Sequence, residues 1–387
     1  MYKYVVILTG IIGIVDFGNV CRTTNQNIST VENRTLPFVH SIKTKPVQLK
    51  SASASITDYL PSKFVTDGSV DYTNQVQNAI NRNRRITFPA FPILINDKGL
   101  QIPSNTSIEF LKGSKVILKA STKEGYSLLT ITNANNITLI NPVLIGDRYE
   151  HLGTQGEWGM GISIYGGKNI TILSPIVKNM WGDGLYISDK KGEISKNVVV
   201  KNAFFEYNRR NGISIISVDG LILESPFVAF CDGTLPMAGI EIEPNTNKQE
   251  IKNVLINNPY TKRNLGAGVY LDFGNLMGNG DKKIDVKVYN HTDDQSNIGM
   301  VIKSREANGT STIKGEVKIV NPAWNRNSMQ AVKTALHGLD GIHLTLKNPV
   351  IKGVNGIRLS KQETIDYLMY KRHINKKAWT NIDFSKN

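Results

Sequence analysis

The sequence predicts an all-β chain wound as a right-handed parallel β-helix, a single-stranded solenoid with helical caps at its ends. Two phased repeats predict it. A pattern of glycine, aliphatic, any residue, aliphatic, any residue recurs as Gly161-Ile-Ser-Ile-Tyr165, Gly184-Leu-Tyr-Ile-Ser188, Gly212-Ile-Ser-Ile-Ile216, Gly239-Ile-Glu-Ile-Glu243 and Gly268-Val-Tyr-Leu-Asp272. A weaker copy stands at Gly299, and the glycines lie 23, 28, 27, 29 and 31 residues apart. Within each unit an alternating strand ends in Asn-Pro or Ser-Pro: NITLINPV, NITILSPI, GLILESPF, NVLINNPY, VKIVNPAW and LTLKNPVI. Period-two alternation marks strands with one buried face, and a proline at a strand end sits where no ladder donor is required. A unit of this length holds roughly three short strands and no helix, so only stacking of copies can bury its apolar face.

The elements follow in chain order. Residues 1–21 read as an export or lipoprotein signal: Lys3 precedes an apolar run from Tyr4 to Val15 that is too short to span a bilayer. Cys21 would be the lipidated residue in the second case, and Gly18, Asn19 and Val20 before it fit soluble secretion equally. Residues 22–50, rich in Asn, Thr and Lys, read as a tether, and 51–387 as one β-helix domain. A solenoid has open strand edges at its ends. An amphipathic helix over about 71–85, with Val76, Ala79 and Ile80 on one side, is expected to cover the first, and a helix over about 363–380 the last. Asparagines at equivalent turns, such as Asn141, Asn258, Asn321 and Asn348, are expected to hydrogen-bond along the stack.

Composition narrows the function classes. With the signal removed Cys231 is the one thiol left, which excludes a disulfide framework or a cysteine-based metal site. Lysine and arginine number 46 against 32 acids, a net charge of +14 with a pI near 9.5, and this favours an acidic partner. Of a uronate polymer, an anionic lipid and a nucleic acid, export and the lack of a recognition module speak against the last. No later segment is long enough to cross a membrane.

Aligning the repeats on their glycines puts Ile162, Leu185, Ile213, Ile240 and Val269 in one inward column and Ile164, Ile187, Ile215, Ile242 and Leu271 in another. The residues between must point outward, as Ser163, Tyr186, Ser214, Glu241 and Tyr270 beside Tyr165, Ser188, Ile216, Glu243 and Asp272. Glu241 and Glu243 then face solvent from one strand, with Glu243 about 4.8 Å from Asp272 in the next coil. Such a patch needs a cation, a basic neighbour or a raised pKa, and Lys303 follows Asp272 outward as an ion-pair partner. The turns entering these strands carry Arg148, His151, Trp158, Trp181, Arg209, Arg210 and Asp183 along one edge. Tryptophan and tyrosine faces suit sugar rings, and arginines suit carboxylates or sulfates.

The segment ITDYLPSKFVTDGSVDYTNQVQNAI, followed by ITFPAFPILI and GLQIPSNTSIEFLKGSKVIL, resembles the opening region of the pectate-lyase/polygalacturonase-like β-helix superfamily. The likeness runs from about Ile56 to about Ser360. It implies the fold and an action on polysaccharides, while that superfamily spans lyases, hydrolases, epimerases and phage tailspikes. WGDGLYI looks like the Asn-Thr-Asp-Gly motif of polygalacturonases, with Asp183 at the position of their acid. Arg210-Asn211 stands where they have paired aspartates, and their Gly-His-Gly and Arg-Ile-Lys motifs are not evident, so their mechanism does not carry over.

The sequence therefore points to a secreted or cell-surface polysaccharide-degrading enzyme acting on a uronate-containing glycan in a groove along the coil. Asp183, Glu241, Glu243 and Asp272 are the catalytic candidates. Arg148, His151, Trp158, Trp181, Arg209, Arg210, Tyr186 and Tyr270 are the substrate-binding candidates. Hydrolysis would use two carboxyls as acid and as base or nucleophile. Elimination would need a base such as His151, Arg210 or Lys303 and a neutralised substrate carboxylate. No cofactor or metal is expected, although carboxylates in a lyase could hold Ca²⁺. A noncatalytic glycan-binding or adhesin β-helix and a uronate epimerase are the alternatives. A homotrimer, common among tailspikes, has no signature here.

Overall fold

Why the repeat is built on glycine and asparagine is visible in a single coil. The structure, a computed structural model, describes residues 53–278, 280–304, 313–336, 341–369 and 379–384. The expected export signal and tether lie outside them. One coil runs through Asn135–Ile140 in sheet 1, Val143–Ile145 in sheet 2 and Trp158–Tyr165 in sheet 3, and the next through Lys168–Leu173, Ile176–Lys178 and Leu185–Ser188. Each strand pairs in parallel with its equivalent one coil on. Among the described residues sheets 1, 2 and 3 hold 12, 10 and 9 strands, stacked as a right-handed solenoid. This is the fold that the superfamily resemblance implies.

The corner between sheets 1 and 2 is a column of left-handed residues. Asn141, Ser174, Asn202, Ser225, Asn258, Asn290, Asn321 and Asn348 all have φ between 50° and 55°. Asparagine tolerates this region because its short polar side chain bonds locally. Here the bonds run along the stack: Asn290 Nδ2 donates to Asn258 Oδ1 at 2.9 Å, Asn321 to Asn290 at 3.0 Å and Asn348 to Asn321 at 3.0 Å.

The repeat glycines mark the opposite constraint, a lack of room. A Cβ on Gly212 would lie 2.0 Å from Val228 Cγ1, and one on Gly161 2.4 Å from Val177 Cγ1. Sheet 3 therefore starts against the inward side chains of sheet 2. Both inward isoleucine-rich columns are in register and fully buried, and they belong to one core cluster whose described members run from Ile56 to Leu368.

At the N-terminal end, helix α1 (Thr73–Arg82) buries Thr73, Val76, Ala79 and Ile80. It stops short of the expected 85 because Arg85 opens a sheet 1 strand, Arg85–Phe88. The C-terminal expectation needs a larger correction. Helix α2 covers Lys361–Met369, and Trp379–Asp383 is instead the last strand of sheet 1, paired with Leu344–Lys347. Backbone pairing with an open edge outweighs helical periodicity at residues 379–380, while 370–378 lie outside the described residues. No described helix is long and apolar enough to cross a membrane.

Candidate active site

The repeat places Ser163, Tyr186, Ser214, Glu241 and Tyr270 opposite one another on the outer face of sheet 3. Solvent does not reach most of that face. Ser163, Ser214 and Glu241 are fully buried, and Ser188, Ile216 and Asp272 nearly so. The cover comes from the turns that enter sheet 3. Asn211 Nδ2 donates to Ser214 Oγ at 3.0 Å and to Glu241 Oε2 at 2.6 Å, and Arg210 lies over the same serine with Nη1 at 3.5 Å.

Arg210 is the centre of the cluster. Its Nη1 donates to Asp183 Oδ2 at 2.9 Å, and its Nη2 lies 3.5 Å from Glu241 Oε2 and 3.8 Å from Glu243 Oε2. Its Nε lies 3.8 Å from Oε2 of Glu157, which sequence reasoning passed over. Burial alone would weaken the arginine's charge, but the four carboxylates hold it firmly protonated. Asp183, fully buried, also accepts from Asn211 N at 2.9 Å. Burial raises its pKa and Arg210 offsets part of that rise.

Glu241 bears an electrostatic penalty as well. Burial pushes its pKa well above 4.5, Arg210 pulls it down, and Glu243 and Asp183 raise it again. Its Oε1 has no hydrogen-bond partner among the described residues, which makes it the oxygen of the pair that is free to carry a proton. Glu243 and Glu157, whose side chains are 28% and 35% exposed, are the two carboxylates of the cluster that reach solvent. The cluster can therefore hold a proton on an inner carboxyl beside an outer one. Among the described residues no group of three or more His, Cys, Asp or Glu side chains is arranged to hold a metal ion.

The other candidates fall elsewhere. Asp272 is nearly buried and is engaged by partners of its own. The ladder between its coil and that of Glu243 ends at Ile242–Leu271, and Asp272 pairs with Lys303 at 2.7 Å and accepts from Gly274 N at 2.9 Å. A lysine directly opposite in register outcompetes a like-charged neighbour. Lys303 also lies 5.1 Å from the ring centre of half-buried Tyr270, while half-buried Tyr186 tilts against Tyr165 at 5.8 Å.

Trp181 offers no open face, since His151 stacks against it at 4.0 Å and the Arg209 guanidinium at 3.8 Å. The His151 side chain is itself buried, with Nδ1 2.8 Å from Asp147 Oδ2, and Asp147 accepts from Tyr126 OH as well. Arg148 is tied to Asp232 and to Tyr207 O. Trp158 alone of the edge tryptophans is open, at 54% exposure. Glu157, Asp147 and Asn211 had a signal: each lies in a turn entering sheet 3, where irregular segments carry the polar chemistry of a regular scaffold.

No family model matches the chain. Two proteins of Bacillus subtilis (strain 168) are similar in sequence. The uncharacterized protein YclG is 25% identical over 241 residues, covering 52% of this chain and 41% of YclG. The SPbeta prophage-derived uncharacterized protein YorA is 29% identical over 164 residues, covering 38% of this chain and 28% of YorA. The chain thus spans less than half the length of either relative.

Solved structures align over more of it. The surface protein and adhesin PfbA of Streptococcus pneumoniae superposes with a TM-score of 0.59 at 15% identity, covering 78% of this chain and 86% of PfbA. Tailspike gp49 of Acinetobacter baumannii bacteriophage Fri1, a capsular polysaccharide depolymerase, gives 0.54 at 16% identity, over 79% and 57%. A 1,3-α-1,4-β-D-galactose-4-sulfate-3,6-anhydro-D-galactose-2-sulfate 4 galactohydrolase gives 0.52 at 14% identity, over 72% of each chain. At these identities the likeness is one of fold.

Proposed function

We propose that the chain is an exported enzyme that hydrolyses an acidic polysaccharide on the outer face of sheet 3, with Glu243 as the general acid. The observation that carries this reading is the pairing of solvent-reaching Glu243 with fully buried Glu241 under Arg210. A carboxyl that keeps its proton near neutral pH because it is buried is the standard source of a glycosidic acid. Glu241 is too deep to touch a polymer, so it stores the proton that Glu243 delivers. Asp183 positions Arg210 and Asn211 beneath them. Fold neighbours that cut glycans, and a net charge of +14, support a polyanionic glycan as substrate.

Elimination and epimerisation fit this centre less well. Both need a cation free to neutralise a substrate carboxylate, and Arg210 already faces four carboxylates. The second reading, a noncatalytic glycan-binding surface, rests on the adhesin PfbA among the fold neighbours. Incubation with uronate-containing and sulfated polysaccharides, following new reducing ends and ultraviolet absorbance of unsaturated ends, separates the readings. Hydrolysis gives the first signal without the second, and Glu243→Gln abolishes it. Binding with neither signal supports the adhesin reading.

A further inference from the structure

Glu157 is the last residue of the turn that enters sheet 3, directly before strand Trp158–Tyr165. The turn backbone around it is fixed on every side. Trp181 Nε1 donates to Gln155 O at 3.3 Å, Arg209 Nη1 to Gly156 O at 2.8 Å, Trp158 N to Glu124 O at 3.1 Å and Gly182 N to Gly159 O at 2.8 Å. The approach is so close that a Cβ on Gly182 would lie 2.2 Å from Glu157 O, and one on Gly156, at φ +90°, 2.4 Å from Glu124 Cβ. Trp181 is in turn held between the Arg209 guanidinium and His151, which Asp147 holds. The fixed backbone contrasts with a loosely held carboxylate, whose recorded partner is Arg210 Nε at 3.8 Å, beyond hydrogen-bond length. Effort spent on placing a backbone, with the acid itself left under-coordinated and open to water, is the arrangement expected of a reacting group.

We infer that Glu157 is the second catalytic carboxylate, the base that activates water against Glu243 as acid across Arg210. This rests on the hydrolytic reading above. Glu243 gives its proton to the glycosidic oxygen as the C1–O bond breaks, and the electron pair leaves with the departing sugar. Water forms the new bond to C1 and gives its proton to Glu157, and both carboxyls then exchange protons with solvent. The anomeric configuration inverts. Asp147, His151, Trp181 and Arg209 are positioning residues for the turn.

The test compares Glu157→Gln, Glu157→Ala and Glu243→Gln with wild type on a polysaccharide the wild type cleaves. Expected is a loss of about 100-fold or more in kcat for Glu157→Gln with KM little changed. Expected also is partial rescue of Glu157→Ala by azide with an inverted glycosyl azide as product, a readout no structural role would give. Full activity in Glu157→Gln beside an inactive Glu243→Gln overturns this inference and leaves the hydrolytic reading standing. Full activity in both variants, or no cleavage by wild type, overturns the hydrolytic reading and this inference with it.

Discussion

At the scale of single residues, Glu241 sets the behaviour of the site. Its folded-state pKa is raised because burial penalises the charged form. The stability it contributes is therefore fully present below 4.5, its ordinary value, and is lost as pH rises through the folded value. A glutamine has the same shape, keeps an oxygen to accept from Asn211 Nδ2, and does not titrate. Glu241→Gln should thus match wild type in melting temperature at acid pH and exceed it increasingly as pH rises. A variant that falls increasingly below wild type in melting temperature as pH rises would mean the carboxyl is needed as an anion, contrary to the assignment.

At the scale of elements, the asparagine corner makes a quantitative case. Asn290, at φ 55°, donates to Asn258 and accepts from Asn321. Asn290→Gly removes both ladder bonds but keeps the left-handed backbone at no steric cost, and Asn290→Ala removes the bonds and adds about 1–2 kcal/mol of left-handed strain. With about 1 kcal/mol for the exposed bonds, alanine should unfold at lower urea concentration than glycine, and glycine lower than wild type. Equal midpoints for the two variants would deny the backbone its part.

The same comparison explains what was legible in the sequence. Glycine spacing and strand alternation are local, so they specify the coil and the two inward columns. Which outward residues stay wet depends on what the turns entering sheet 3 lay over them, and those turns, unlike the asparagine corner, have no period. Asp272 and Glu243 thus look equivalent in sequence, but register gives Asp272 a lysine opposite and leaves Glu243 beside a guanidinium from two turns back. Trp181 and Trp158 likewise look alike, yet one lies between His151 and Arg209 and the other is open.

At the scale of the whole molecule, a solenoid is held by contacts between neighbouring coils, so a local penalty should remain local. The coils toward the C-terminus contain such a penalty. Asp293, buried within them, accepts from Thr261 Oγ1 at 2.7 Å, from Ser296 Oγ at 2.6 Å and from Asn327 Nδ2 at 2.5 Å. Burial nevertheless pushes it up to about 7. Beside it His291 is fully buried and pushed down to about 3, so it stays neutral and donates from Nε2 to Thr261 while Trp324 Nε1 donates to its Nδ1. His291 therefore adds no titration in the neutral range beside Asp293. Its sign is that of a raised carboxyl: the stability it contributes is complete below 3.8 and falls as pH rises to about 7, by up to about 1.4 kcal/mol per pH unit. Hydrogen exchange, corrected for intrinsic rates, should therefore show strands Thr292–Asp294 and Ala323–Asn325 losing protection between pH 4 and 8 before strands Asn135–Ile140 and Val143–Ile145, which lie in a coil before the raised carboxyls of the cluster. A parallel loss along all of these strands would mean that the coils unfold as one unit and that the penalty at Asp293 is not local.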